Sequence, residues 1–239
     1  MEVDIGFLID GSSRVTSMNF KLILEYVKTI VHAFPISEKG IHAGLSVVSN
    51  NGDIIFGFNK YTDTLTMDPA IDAVLYPGTN AAVGKSLSKV KDELFVTSSR
   101  QGAIKILVVI LGGKSTDDVT VPSEDMKSAG INRVIVVAIS SETDKTLFSP
   151  PASVPSDVVI SVTYMTIKTT AQTVVDKING GELYFKIIFA DVMAFFSPAY
   201  FSVIFSMCCI DHFHNGDRFK YSFYVHLNKP SWPLSVSVI

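Results

Sequence analysis

Asp10-Gly11-Ser12-Ser13-Arg14 follows directly on the apolar run Ile5-Gly6-Phe7-Leu8-Ile9. A buried strand that ends in a carboxylate and two hydroxyls brings hard oxygen ligands to a sheet edge, the donor type that Mg²⁺ prefers. The fifth residue opposes that chemistry. Arg14 sets a permanent cation where a third oxygen ligand would serve, so one segment points both to a fold and to a lost activity.

The elements around this segment must place it at the end of a sheet. Residues 4 to 178 alternate strand-like and helix-like periodicity in the order of a doubly wound α/β domain. Phe20, Ile23, Leu24, Val27, Ile30, Val31 and Phe34 recur at helical spacing and end before Pro35. The runs Ile41 to Ser49 and Ile54 to Phe58 are joined by Asn50-Asn51-Gly52-Asp53, which predicts a hairpin and hence an antiparallel edge strand.

Further along, helices are expected near Thr64 to Val74 and Gly84 to Phe95. The near-continuous apolar run Ile104 to Leu111 predicts a central strand buried on both faces. A short helix from Ser123 to Ala129, strands at Arg133 to Ile139 and Val158 to Val162, and a helix from Thr166 to Ile178 complete a mostly parallel sheet with helices on both faces. The proline-rich stretch Phe148 to Pro155 reads as a loop inside this domain.

The chain has 239 residues, 47% of them hydrophobic, enough for one large domain or a domain with an appendage. A net charge of -3 without a basic face argues against nucleic acid as a partner. The 15 glycines have no three-residue period, so this chain forms no collagen triple helix. Met1-Glu2-Val3-Asp4 leads straight into the first strand without a leader-like pattern, a start that a mature secreted domain, a fragment and a cytosolic product would share.

Residues 179 to 239 differ in character and read as a hydrophobic tail foreign to the domain, poorly ordered. Between 182 and 239 lie nine of the sixteen phenylalanines, both cysteines and the only tryptophan, Trp232. Val192 to Ile210 is uncharged and long enough for a bilayer span, although Pro198 interrupts it. Cys208, Cys209, His212 and His214 have zinc-ligand chemistry without the usual finger spacing.

Enzyme motifs are missing. Gly78 to Ser86 has one residue too many between its glycines for a phosphate-binding loop, and no dinucleotide fingerprint follows the first strand. His32 and His42 fall on a helix end and a strand face, away from any elbow-like turn.

Three loops read together are more specific: Asp10 to Ser13, Pro77-Gly78-Thr79-Asn80-Ala81-Ala82-Val83-Gly84, and Gly112-Gly113-Lys114-Ser115 after Val108 to Leu111. Their order and spacing resemble the von Willebrand factor A domain over residues 3 to 178. The stretch Gly112 to Val119 is similar to the A domains of collagen type VI chains, including the alpha-4-type chains.

The resemblance implies a Rossmann-like fold and a metal-ion-dependent adhesion site built from Asp-x-Ser-x-Ser, a threonine and a second aspartate. Asp10, Ser12 and Thr79 match as relict ligands. Arg14 stands for the second serine and Gly112 for the second aspartate. A unit charge about 4 Å away is worth about 4 kcal/mol at an effective dielectric near 20, comparable to what the missing carboxylate would supply. No cofactor is implied beyond the Mg²⁺ that the surviving oxygens would suit. A second reading stays open, in which Asp10 caps its turn, Ser12 and Ser13 satisfy backbone donors and Thr79 steadies a glycine loop. Asp117 and Asp118 read as helix N-terminal caps rather than replacement ligands.

By resemblance, the expected function is a non-enzymatic protein-interaction module of the extracellular matrix with a degenerate metal site. Its partners would be matrix or cell-surface proteins such as collagens, met by Ser13, Arg14, Thr79, Asn80 and Lys114. The alternative is a truncated intracellular product, cytoplasmic or associated with a membrane through its tail.

Overall fold

The structure, a computed structural model, describes residues 2–140 and 150–180. Strands β1 (Val3–Asp10), β2 (Ile41–Val48), β3 (Asp53–Phe56), β4 (Ile104–Leu111), β5 (Arg133–Ile139) and β6 (Val158–Ser161) form one sheet in the order β3-β2-β1-β4-β5-β6. Only the β2–β3 pairing is antiparallel. The hairpin expected from Asn51-Gly52 is present, with Gly52 at a φ of 72° that suits glycine.

β1 and β2 are buried along their whole length, as is β4 from Ile106 onward, which accounts for their near-continuous apolar sequence. On one face Leu8, Leu107, Val109, Val134 and Val136 pack with Val83, Leu87, Leu94, Phe95 and Met126 from the helices beyond. β1 and β2 also align Gly6 with Gly44. A Cβ on Gly6 would lie 2.9 Å from the Phe95 ring and one on Gly44 2.8 Å from Leu94, so the paired glycines open the sheet surface to these side chains.

Helix α1 (Ser17–Val31) buries the predicted apolar face and packs with α2 (Thr64–Asp72), the 3₁₀ segment Tyr164–Thr170 and α5 (Ala171–Ile178). α3 (Val83–Lys89) and α4 (Thr120–Ser128) pack together. Helices therefore stand on both faces.

Three helices differ from the sequence expectation. The segment from Gly84 to Phe95 starts at Val83 and loosens after Lys89 into π-helical turns over Val90–Val96. α4 begins at Thr120 rather than Ser123, because the loop before it is drawn in by hydrogen bonds that periodicity does not report. The last helix is 3₁₀ from Tyr164 and α-helical only from Ala171, since Thr163 and Thr166 form a reciprocal capping box at the start of the tighter turn.

No helix among the described residues is long and apolar enough to cross a membrane. The tail expectations, including the 192 to 210 span and the cysteine–histidine cluster, lie outside the described residues.

Candidate interaction site at the carboxyl edge of the sheet

The strand order reverses between β1 and β4, so the loops leaving these neighbours diverge and leave a crevice at their carboxyl ends. Asp10, the last residue of β1, is 1% exposed. Its Oδ1 accepts the Ser12 N–H and its Oδ2 accepts the Gly112 N–H, both at 2.9 Å. One carboxylate thus turns its own loop and ties it to the end of β4.

The middle loop joins through backbone. Gly78 N–H donates to the Gly11 carbonyl at 3.0 Å, Ser13 N–H donates to the Thr79 carbonyl at 2.8 Å, and Ser12 and Thr79 form an isolated parallel bridge. The Tyr76 hydroxyl donates to the Ser12 carbonyl at 2.9 Å. Gly11 has no room for a side chain, since a Cβ would lie 2.5 Å from Val47 and 2.8 Å from Pro77. Beyond it Thr16 caps α1 at a φ of 66°, in the region that L-residues rarely occupy.

Asp10, Ser12 and Thr79 are therefore brought together as the spacing predicted. Ser13, Arg14, Asn80 and Lys114 lie exposed on the same joined loops, with Thr79 half-buried. Arg14 turns across the crevice, where its Nη1 donates to the Lys114 carbonyl and lies 3.0 Å from the place a Cβ on Gly113 would take. The Ser12 hydroxyl is buried without a hydrogen-bond partner, so it does not serve the backbone donors that sequence left as an alternative. Asp10 does fill that capping role, and Thr79 Oγ1 reaches only the Asn80 carbonyl at 3.5 Å.

A residue that sequence reasoning did not single out completes the crevice. Tyr164 reaches in from the far edge of the sheet, and its buried hydroxyl, also unpartnered, overlaps the space a Cβ on Gly112 would need. Val15 Cγ2 stands 3.1 Å from the same point. Burial, reinforced by the Asp10 charge, pushes the Tyr164 pKa up to about 12, so the hydroxyl stays neutral. A large side chain opposite a missing one is visible only once topology sets positions 112 and 164 face to face.

Asp117 and Asp118 act as caps, on different helices. The Asp117 carboxylate crosses to α3, accepting the Gly84 and Lys85 N–H groups at 2.9 Å each. Asp118 accepts Thr120 N–H at 3.0 Å, at the start of α4. Desolvation raises the Asp117 pKa, but the hydrogen bonds from Ser115, Lys85 and Gly84 outweigh it and hold the group below its usual range. The loop sits so close that a Cβ on Gly84 would overlap the Asp118 carbonyl.

His32 ends α1 beside Asp68, and His42 lies on β2 with Nε2 against the Glu38 carbonyl, both remote from the crevice. Among the described residues no group of three or more histidines, cysteines or carboxylates is placed to hold a metal.

Comparison with known proteins matches the fold. The sequence model of the von Willebrand factor type A domain matches residues 4–181. Human vitrin is 32% identical over 136 residues, 57% of this chain and 20% of vitrin. The human collagen alpha-1(XXI) chain is 30% identical over 153 residues, 64% of this chain and 16% of that one. Bovine cochlin is 31% identical over 137 residues, 56% of this chain and 25% of cochlin. This chain thus spans a quarter or less of these relatives. Proximal thread matrix protein 1 of the mussel byssus superposes with a TM-score of 0.68 at 22% identity, over 74% of this chain and 48% of that one. A second structure of that mussel protein has its adhesion-site motif occupied by zinc.

Proposed function

Because the chain belongs to the von Willebrand factor type A domain family, we propose that it is a non-enzymatic protein-interaction module of the extracellular matrix whose binding does not depend on a metal. The state of Asp10 carries this reading. Both of its carboxylate oxygens accept backbone N–H groups, so the carboxylate joins the β1 and β4 loops. The oxygens left around it, Ser12 and Thr79, come with a guanidinium on the same loop and with glycine where a second carboxylate would stand. Mg²⁺ demands near-octahedral oxygen coordination and gives up water reluctantly. The residues present do not fit it. The unpartnered Ser12 and Tyr164 hydroxyls are neutral oxygens, and they do not offset the lost carboxylate.

With metal chemistry set aside, the exposed groups on the three joined loops remain as the binding surface: Ser13, Arg14, Asn80 and Lys114, with Thr79 at its edge. Ser13 N–H is held by the Thr79 carbonyl, Asn80 N–H by Asn50 Oδ1 and the Arg14 guanidinium by the Lys114 carbonyl, so the three loops are tied to their neighbours before docking. The collagen relative supports the matrix as location, and we infer matrix or cell-surface proteins, collagens among them, as partners. The resemblance of residues 112 to 119 to collagen type VI A domains, read from the sequence, points the same way.

The test is binding of the full chain to immobilised collagens and other matrix proteins, with Arg14→Ala and Lys114→Ala as variants. Loss of roughly tenfold in affinity for each fits the reading, about 1.4 kcal/mol per contact. Absence of binding to any matrix protein, or binding indifferent to both changes, would count against it.

A further inference from the structure

We propose that Gly112 and Tyr164 form an exchanged pair: the Tyr164 hydroxyl occupies the place from which a carboxylate at position 112 would enter the crevice, and so closes the site to divalent cations. The inference rests on the reading above, that the metal chemistry is lost, and adds how the vacated volume is filled. The Tyr164 hydroxyl overlaps the Cβ position of residue 112, while its ring Cζ lies 3.3 Å from that position. The obstruction is therefore the oxygen more than the ring. That oxygen is buried and unpartnered, as is the Ser12 hydroxyl on the opposite loop. A buried hydroxyl without a protein partner costs free energy, so a compensating gain is needed. Filling the space left by a missing side chain supplies one, because an unfilled void beside Val15 would forfeit packing.

Loss of the ligand is thus locked in by a second residue. Restoring an aspartate at position 112 alone would drive its Cβ into the Tyr164 hydroxyl, whereas restoring it together with removal of that hydroxyl would not. Arg14 is a separate obstacle, approaching from the Gly113 side.

Two measurements on the full chain decide this. Mg²⁺ is titrated by calorimetry into the chain carrying Arg14→Ser and Gly112→Asp, and into the same chain with Tyr164→Phe added. The added change is expected to tighten binding about tenfold or more; equal affinities would overturn the proposal. The second readout needs no metal: Gly112→Ala is introduced with and without Tyr164→Phe and thermal midpoints are compared. A lowered midpoint that Tyr164→Phe largely restores supports the exchange, and the same lowering in both backgrounds refutes it. Matrix adhesion that proved EDTA-sensitive in the unaltered chain would remove the proposed function, while the Gly112–Tyr164 coupling would still be decided by the midpoints.

Discussion

Asp10 accepts the backbone N–H of Gly112 at 2.9 Å across the carboxyl ends of β1 and β4, so one buried carboxylate works as a tie between two loops. Its other oxygen holds Ser12 N–H. Asp10→Ala would leave two N–H groups without their charged acceptor in a site that is 1% exposed. It is expected to cost about 3 kcal/mol, within the range for hydrogen bonds to a buried charge. Asp10→Asn, which keeps one acceptor, is expected to cost about half as much. Urea unfolding of the three chains checks the order.

Asp117 offers a pH-dependent counterpart. Its pKa in the fold lies below the ordinary aspartate value, since Ser115, Lys85 and Gly84 outweigh desolvation. A depressed carboxylate contributes stability that is present above its unfolded pKa and is lost as pH falls through the folded one. The thermal midpoint of the unaltered chain should therefore exceed that of Asp117→Asn at neutral pH. The gap should narrow as pH falls below the usual aspartate range. A gap that stays constant into acid would mean the cap works without its charge.

The aligned glycines of β1 and β2 make a packing prediction. Gly6→Ala and Gly44→Ala each drive a methyl into Phe95 or Leu94 and should destabilise by roughly 1–3 kcal/mol, the usual cost of overfilling a packed core. Phe95→Leu, which shortens the ring side chain, should recover part of the Gly6→Ala loss and none of the Gly44→Ala loss. Paired denaturant melts distinguish these.

At the opposite end of the sheet, Asp4 is fully buried and receives Arg100 through its backbone N–H at 2.7 Å and its guanidinium Nη2 at 2.6 Å. The same Nη2 also donates to the Val3 and Gly40 carbonyls. Arg100→Leu is expected to cost about 3–5 kcal/mol, because it strands a buried carboxylate. Asp4→Asn with Arg100→Leu should be less damaging than Arg100→Leu alone.

The fold was legible because its signals are local and periodic. The helical repeat from Phe20 to Phe34, the Asn51-Gly52 turn and the unbroken apolar run of β4 each determine an element without help from the rest of the chain. The approach of Asp10, Ser12 and Thr79 was legible only from the order and spacing of the three loops taken together, since Thr79 lies between α2 and α3 rather than at a strand end. Tyr164 was not, because it acts 52 positions from Gly112 and nothing in its neighbourhood marks it. Asp117 was read as a cap, yet the helix it caps precedes it in sequence and the contact is tertiary. The split of the last helix escaped because 3₁₀ and α turns share an apolar face over so short a span.

If the domain binds its partners without a metal, as proposed, adhesion of the full chain to immobilised collagen, the most direct test, has the same affinity in Mg²⁺ and in EDTA and is lowered by Arg14→Ala. Binding that disappears in EDTA, returns with Mg²⁺ and is abolished by Ser12→Ala in a chain that remains folded would contradict it.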